Sequence, residues 1–186
     1  MDLFLIRHPR VDVAPGICYG ASNVGLAEDA AAVAARLKPL LPASCALVSS
    51  PLGRCRALAD LLSPAVAVEP ALAEMDFGEW EMKDFDDIDP DLIDAWALDP
   101  YGFTPPGGES ARDMAARAQA AFAELREVAG AGPLIIVAHG GPLRAIAGSL
   151  LGLPMENWLS LEFACGQASL FELQANRTLL KWFNRG

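Results

Sequence analysis

Histidine is scarce in this chain: among 186 residues only His8 and His139 carry an imidazole. Two histidines leave little from which to assemble a tetrahedral zinc site, so no metal is expected. Cysteine is sparse as well, and Cys18, Cys45, Cys55 and Cys165 show no Cys-x-x-Cys spacing. That argues against a metal knuckle or a dithiol redox centre, and the thiols are expected to be reduced and mostly buried. Basic residues are outnumbered: 14 Lys and Arg against 24 Asp and Glu give a formal net charge of −10. Such a balance excludes the basic face that nucleic acid or an anionic membrane surface requires. No apolar run approaches the ~20 residues of a membrane span. The opening Met1-Asp2-Leu3-Phe4-Leu5-Ile6-Arg7-His8 places an acid where a secretory leader has its basic region, and a cytoplasmic protein is expected.

What is present is apolar residues, at 53% of the chain, enough for one domain over residues 1–186 with a sizeable core. Leu3–Ile6 and Leu134–Ala138 are short, continuously apolar runs, as expected of strands buried on both faces, and Cys45–Val48 and Ala65–Val68 are of the same kind. Helical spacing appears over 27–41 (Ala30, Val33, Leu37, Leu41), with Pro39 near its end. Ser50-Pro51 has the form of an N-cap and first helical position, followed by the stripe Leu52, Cys55, Ala59 and Leu62. Residues 109–129 carry Met114, Ala118, Phe122 and Leu125 on one face, and Gly140-Gly141-Pro142 opens a further helix to about Leu151. One or two late strands follow Phe163. The acidic, aromatic, proline-broken segment 75–108 reads as an excursion over one sheet edge, too short for a core of its own. The fold expected is α/β.

Both histidines directly follow an apolar strand, and the carboxyl ends of strands are where α/β sheets bind ligands. Arg7 stands beside His8. Arg54 falls in the first turn of a helix, where free N–H groups already favour an anion and a guanidinium adds bidentate oxygen recognition. Gly140 and Gly141 allow close backbone approach at a second helix N-terminus. Two histidines, two arginines and two helix N-termini make a site for a tetrahedral oxyanion. A neutral imidazole can attack phosphorus in line while the arginines neutralise charge on the equatorial oxygens. The leaving alcohol needs a proton. Glu74 is the candidate donor, since a carboxyl near apolar groups can serve as an acid; on spacing alone Asp76, Glu79 and Glu81 compete with it.

These residues resemble the histidine phosphatase superfamily, the group related to phosphoglycerate mutase. Arg7-His8 matches the family's opening Arg-His-Gly, and Ser49-Ser50-Pro51-Leu52-Gly53-Arg54-Cys55 matches its Ser-Ser-Pro-x-x-Arg segment. Glu74, Gly78, Trp80 and Glu81 match Glu-x-x-x-Gly-x-Trp-Glu, and Ala138-His139-Gly140-Gly141 matches the second-histidine motif. The resemblance implies a three-layer α/β/α sandwich with a mixed, mostly parallel sheet. It also implies that His8 is the phosphorylated nucleophile, that Arg7, Arg54 and His139 bind the phosphoryl group, and that Glu74 is the general acid and later the base. Tyr19 and Gly20 resemble the family's following loop and, with Gly140, are expected to bind substrate. No cofactor or metal is implied. Three positions depart from the pattern: Pro9 replaces glycine and removes an N–H, while Val11 and Ala14 stand where a hydroxyl and an Asn are common.

The resemblance implies a phosphomonoesterase acting on a small phosphorylated metabolite. Length and the loop Val11–Leu26 look most like the α-ribazole phosphatase branch, which acts on α-ribazole 5′-phosphate in cobalamin assembly. A phosphoglycerate mutase-type phosphotransferase and a catalytically silent phospho-ligand-binding relative are the alternatives. Trp80, Trp96, Tyr101 and Phe103 are candidates for an aromatic lid, or else for a seal on the core edge. The sequence leaves a homodimer open.

Overall fold

Six strands and five helices follow one another in the computed structural model, which describes residues 1–186. In chain order they are β1 (Asp2–Arg7), α1 (Ala30–Leu37), β2 (Ala46–Ser49), α2 (Gly53–Leu62), β3 (Ala67–Val68), α3 (Pro90–Leu98), α4 (Ala111–Ala129), β4 (Leu134–Ala138), α5 (Gly140–Leu150), β5 (Ala168–Leu173) and β6 (Thr178–Arg185). No helix is long and apolar enough to cross a membrane.

Strand alternation explains the layering. Leu3 and Leu5 of β1 with Leu134 and Ile136 of β4 face one side, where Phe122 of α4 and Leu143 and Ile146 of α5 cover them. Phe4 and Ile6 with Ile135 and Val137 face the other, under Val33 and Leu37 of α1 and Cys55 and Leu58 of α2. The sheet therefore needs both faces apolar and gets an α/β/α sandwich. Its order is β3-β2-β4-β1-β5-β6. β1, β2, β3 and β4 pair in parallel, and the late hairpin β5–β6 joins antiparallel to β1, so the sheet is mixed as expected.

Element ends differ from the sequence expectations for local reasons. α1 starts at Ala30 because Asp29 accepts from the Ala31 N–H at 2.9 Å, and Pro39 lies in a 3₁₀ turn after Leu37. β3 shrinks to two exposed edge residues paired only with β2. The helix after β2 begins at Gly53, with Leu52 at its N-cap, and not at Ser50-Pro51. The segment 75–108 holds an unexpected helix, α3, which Asp89 caps from ahead of Pro90. It also carries a small apolar cluster completed from outside the segment: Trp80, Ile88 and Cys18 are buried against Phe77, Trp96 and Phe103. Aromatic rings bury enough area each for a short segment to do this when a neighbouring loop contributes Cys18. All four cysteines are free thiols; Cys18 and Cys55 are buried, while Cys45 and Cys165 are half-buried.

Replacing Phe171, which is 0% exposed at the centre of one apolar layer, by alanine is expected to cost about 3–5 kcal/mol in urea unfolding. Leu98→Ala, at a residue 88% exposed, is expected to stay within about 0.5 kcal/mol. Comparable losses would contradict this placement of the core.

Candidate active site

The strand order puts three chemically useful residues side by side. β4 lies between β2 and β1, with Arg7 in register with Ala138. The next residue of each chain segment then sits at the sheet's carboxyl edge. His8 N donates to Ala138 O at 3.1 Å and Ser50 N to Val137 O at 2.9 Å, which brackets His139 between them. The two imidazole centroids are 5.1 Å apart.

His8 is 2% exposed, and its Nδ1 lies 2.7 Å from the carbonyl oxygen of Pro9. A carbonyl has no proton to give, so Nδ1 carries the hydrogen and Nε2 keeps its lone pair. Pro9 thus supplies an orienting acceptor, although its ring has no N–H. Burial, aided by the charges of Arg54 and Arg7, pushes the His8 pKa down to about 3, against a raising effect of the Pro9 bond. The ring is neutral at physiological pH.

His139 is fully buried, with both nitrogens engaged. Arg54 Nε donates to Nδ1 at 3.1 Å, so the proton sits on Nε2 and is shared with Ser50 Oγ at 2.7 Å. Ser50 Oγ also accepts from the Leu52 N–H at 3.3 Å, just ahead of α2, while Asn23 Oδ1 takes the Gly53 N–H at 2.9 Å. Burial lowers the pKa of His139 well below the ordinary value, with help from Arg54, His8 and Arg7. Arg54 is 1% exposed and also donates to Ser22 O at 2.7 Å and Gly20 O at 2.6 Å. Its guanidinium lies 5.6 Å from the Tyr19 ring centroid.

The loop that supplies those carbonyls is itself organised by Glu81. Its carboxylate accepts from the N–H groups of Gly20, Ala21, Ser22 and Phe77 at 2.9–3.1 Å. Burial works to raise its pKa, but these donors outweigh it and hold the group below the ordinary value. A side chain at residue 20 would collide with the Met75 carbonyl, which is why glycine stands there.

Of the four carboxylates that compete on spacing, Glu74 alone lines the cavity at the strand ends. Glu81 is committed as described, and Asp76 accepts from Gly78 N at 2.8 Å. Arg117 of α4 fixes the segment carrying Glu74 by donating to the carbonyls of Ala71, Ala73 and Glu74 at 2.7–3.1 Å. Gly141 N donates to Glu74 Oε2 at 3.2 Å, and a side chain at 141 would strike that carboxylate.

The cavity measures 410 Å³ and holds Arg7, His8, Tyr19, Glu74 and Gly141 at its polar end. Arg54 and His139 lie behind this lining, as do Gly20 and Gly140. Of the expected aromatics, Trp96 and Tyr101 line the cavity. Trp80 is 2% exposed and stacks on Phe103 at 5.5 Å behind it, in the small core. Phe77, Phe85 and Trp158 complete the wall. Val11 and Ala14 stay outside it. Sequence reasoning missed Ser50, Arg117 and Arg144, the last also a cavity residue. In the sequence, a serine before Pro51 has the form of a helix cap, which hides the contact of Ser50 with His139.

Comparison with known proteins bears on this geometry. A family model described as histidine phosphatase superfamily (branch 1) matches residues 3–186. The glucosyl-3-phosphoglycerate phosphatase of Mycobacterium tuberculosis (strain ATCC 25618 / H37Rv) is 34% identical over 94% of this chain and 85% of its own length. The crystal structure of the α-ribazole phosphatase from Shigella flexneri superposes with a TM-score of 0.89, at 29% identity, covering 99% of this chain and 96% of that one. The native structure of a mycobacterial glucosyl-3-phosphoglycerate phosphatase gives 0.82 at 30% identity, covering 100% and 99%.

Two buried neutral histidines couple folding to pH. The unfolded chain takes up protons as pH falls through about 6.5, whereas folded His8 does so only near 3. Their contribution to stability is complete above about 6.5 and declines below it, for His8 down to about 3, by up to about 1.4 kcal/mol per pH unit for each histidine. Urea unfolding between pH 7.5 and 4.5 is expected to show a shallower pH slope in a His8→Gln/His139→Gln double variant than in the parent. Equal slopes would mean that both rings titrate normally.

Proposed function

The chain belongs to the histidine phosphatase superfamily and is a phosphatase, and on that premise we propose that it hydrolyses α-ribazole 5′-phosphate through a phosphohistidine on His8. The observation that carries the mechanism is the free Nε2 of His8, left with its lone pair because Nδ1–H is given to Pro9. In the first step Nε2 attacks phosphorus and the bond to the ester oxygen breaks. Glu74 gives its proton to the departing alkoxide. Arg7 and the two remaining N–H groups of Arg54 take the phosphoryl oxygens, with His139 holding Arg54 in line. In the second step Glu74 removes a proton from water, the hydroxide attacks phosphorus, the P–N bond breaks and inorganic phosphate leaves. The reading needs neither metal nor cofactor.

The leaving group is chosen by the cavity. Trp96, Trp158, Phe77 and Phe85 offer flat apolar surface and few hydrogen-bond partners, which suits a benzimidazole better than a sugar. That favours a benzimidazole riboside phosphate, and with it a cytoplasmic reaction in cobalamin assembly. Glucosyl-3-phosphoglycerate is the second reading, supported by the 34% identity to the mycobacterial phosphatase.

Hydrolysis of p-nitrophenyl phosphate is expected to survive a chelator and to fall by on the order of 10⁴ in His8→Ala, with acid-labile phosphate trapped on the parent after quenching. Glu74→Gln is expected to slow alkyl phosphates more than aryl phosphates, whose leaving groups need no proton. Among α-ribazole 5′-phosphate, glucosyl-3-phosphoglycerate and 3-phosphoglycerate, the first is expected to lead in kcat/KM by at least about tenfold. A lead for glucosyl-3-phosphoglycerate, or transfer between glycerate hydroxyls, would replace this substrate assignment.

A further inference from the structure

One cation in the cavity has no task in the mechanism above. Of the histidine, arginine and carboxylate side chains that line it, Arg7, His8, Glu74 and Arg144, only Arg144 is unused. Arg144 lies on α5, one turn past Gly140. Helical side chains tilt toward the helix N-terminus, so a long one reaches back over the preceding turn. Glycine at 140 leaves that path open: a Cβ there would stand 2.9 Å from Nη1 of Arg144 and 3.6 Å from Cζ of Arg7. Two guanidiniums thus meet over the first turn of α5, next to His139.

Both are anchored from one strip of backbone. Arg7 Nη1 donates to Phe163 O at 2.7 Å and Arg144 Nε to Leu161 O at 3.0 Å. Leu161 O is the only protein acceptor for Arg144, so its two Nη groups are uncommitted. Arg7 Nε is likewise buried without a partner. Burial and the charge of Arg7 both push the Arg144 pKa down, with Glu74 and Glu162 opposing. Like charges set together with donors unspent are stabilised when an anion binds between them.

We propose that Arg144 is a phosphoryl-binding residue, which grips a non-bridging oxygen of the group attacked by His8 together with Arg7 and the N-terminus of α5. The proposal rests on the phosphatase reading but on no particular leaving group. Gly140, expected to touch substrate, acts by clearing space for this side chain.

Binding of inorganic phosphate, measured by calorimetry, tests it without turnover. Arg144→Met is expected to weaken phosphate about ten- to hundredfold. Its kcat/KM should fall in step for p-nitrophenyl phosphate and every other monoester tried, with thermal unfolding of the phosphate-free protein unchanged. Arg144→Lys should recover part of both losses. Arg144→Gln, which keeps a donor toward Leu161 O, serves if the Met variant does not fold. Unchanged phosphate affinity in the neutral variants would overturn the proposal even if turnover dropped, as would a loss confined to one substrate. In either case the parent would still bind phosphate and the phosphatase reading would stand. A parent protein that binds no phosphate and turns over no monoester would sink both.

Discussion

Three guanidinium groups converge on one end of the sheet, and main-chain carbonyls hold them there. Arg7 donates to Phe163, Arg54 to Gly20 and Ser22, and Arg144 to Leu161. A carbonyl oxygen fixes a guanidinium in place without cancelling its charge, whereas a carboxylate partner would do both. The positive potential is therefore left unspent for an arriving anion. Burial, reinforced by the same potential, keeps His8 and His139 unprotonated. Glu81 shows how the acid is kept at a distance. It binds the amides of residues 20–22, and two carbonyls of the same loop, those of Gly20 and Ser22, accept from Arg54.

How much of this could be read from the chain follows from the range of each interaction. His8 and His139 were legible because each closely follows an apolar run, His8 with Arg7 between, and strand ends in a parallel sheet share an edge. Arg54 was legible as a helix-start arginine. The network around them was not. Ser50 has a local role available to it, accepting the Leu52 N–H, and only the position of β4 beside β2 reveals that its hydroxyl also meets His139. Arg144 looks like any charge on an amphipathic helix until the 161–163 strip is folded over it. Glu81 and Glu74 sit seven residues apart in one acidic segment, and which of them enters the cavity depends on Arg117, on α4, gripping the segment at residues 71–74.

The segment 75–108 illustrates a different limit. Its prolines and acids mark it as irregular, yet its aromatic residues divide between two jobs. Trp80 and Phe103 pack inward with Ile88 and Cys18, and Trp96 and Tyr101 reach the cavity. The inner pair makes the outer pair possible, because a wall of exposed rings holds its shape only over a packed base. The same segment therefore builds the apolar wall of the cavity from its aromatic residues and, through Glu81, steadies the loop that holds Arg54.

The insertion of β4 between β1 and β2 has a consequence for the growing chain. His8 is made early, but Arg7 and the carbonyl that anchors it are 156 residues apart, and the central strand of the site comes after both of its neighbours. Contacts of such long range close late. Until β4 slots in and the 161–163 strip folds down, His8 has neither its backbone partner at Ala138 nor arginines arrayed about it. A nascent or truncated chain accordingly lacks an assembled site: the groups at the sheet's carboxyl edge come together only as the whole domain does, and separate again with any opening of that central strand.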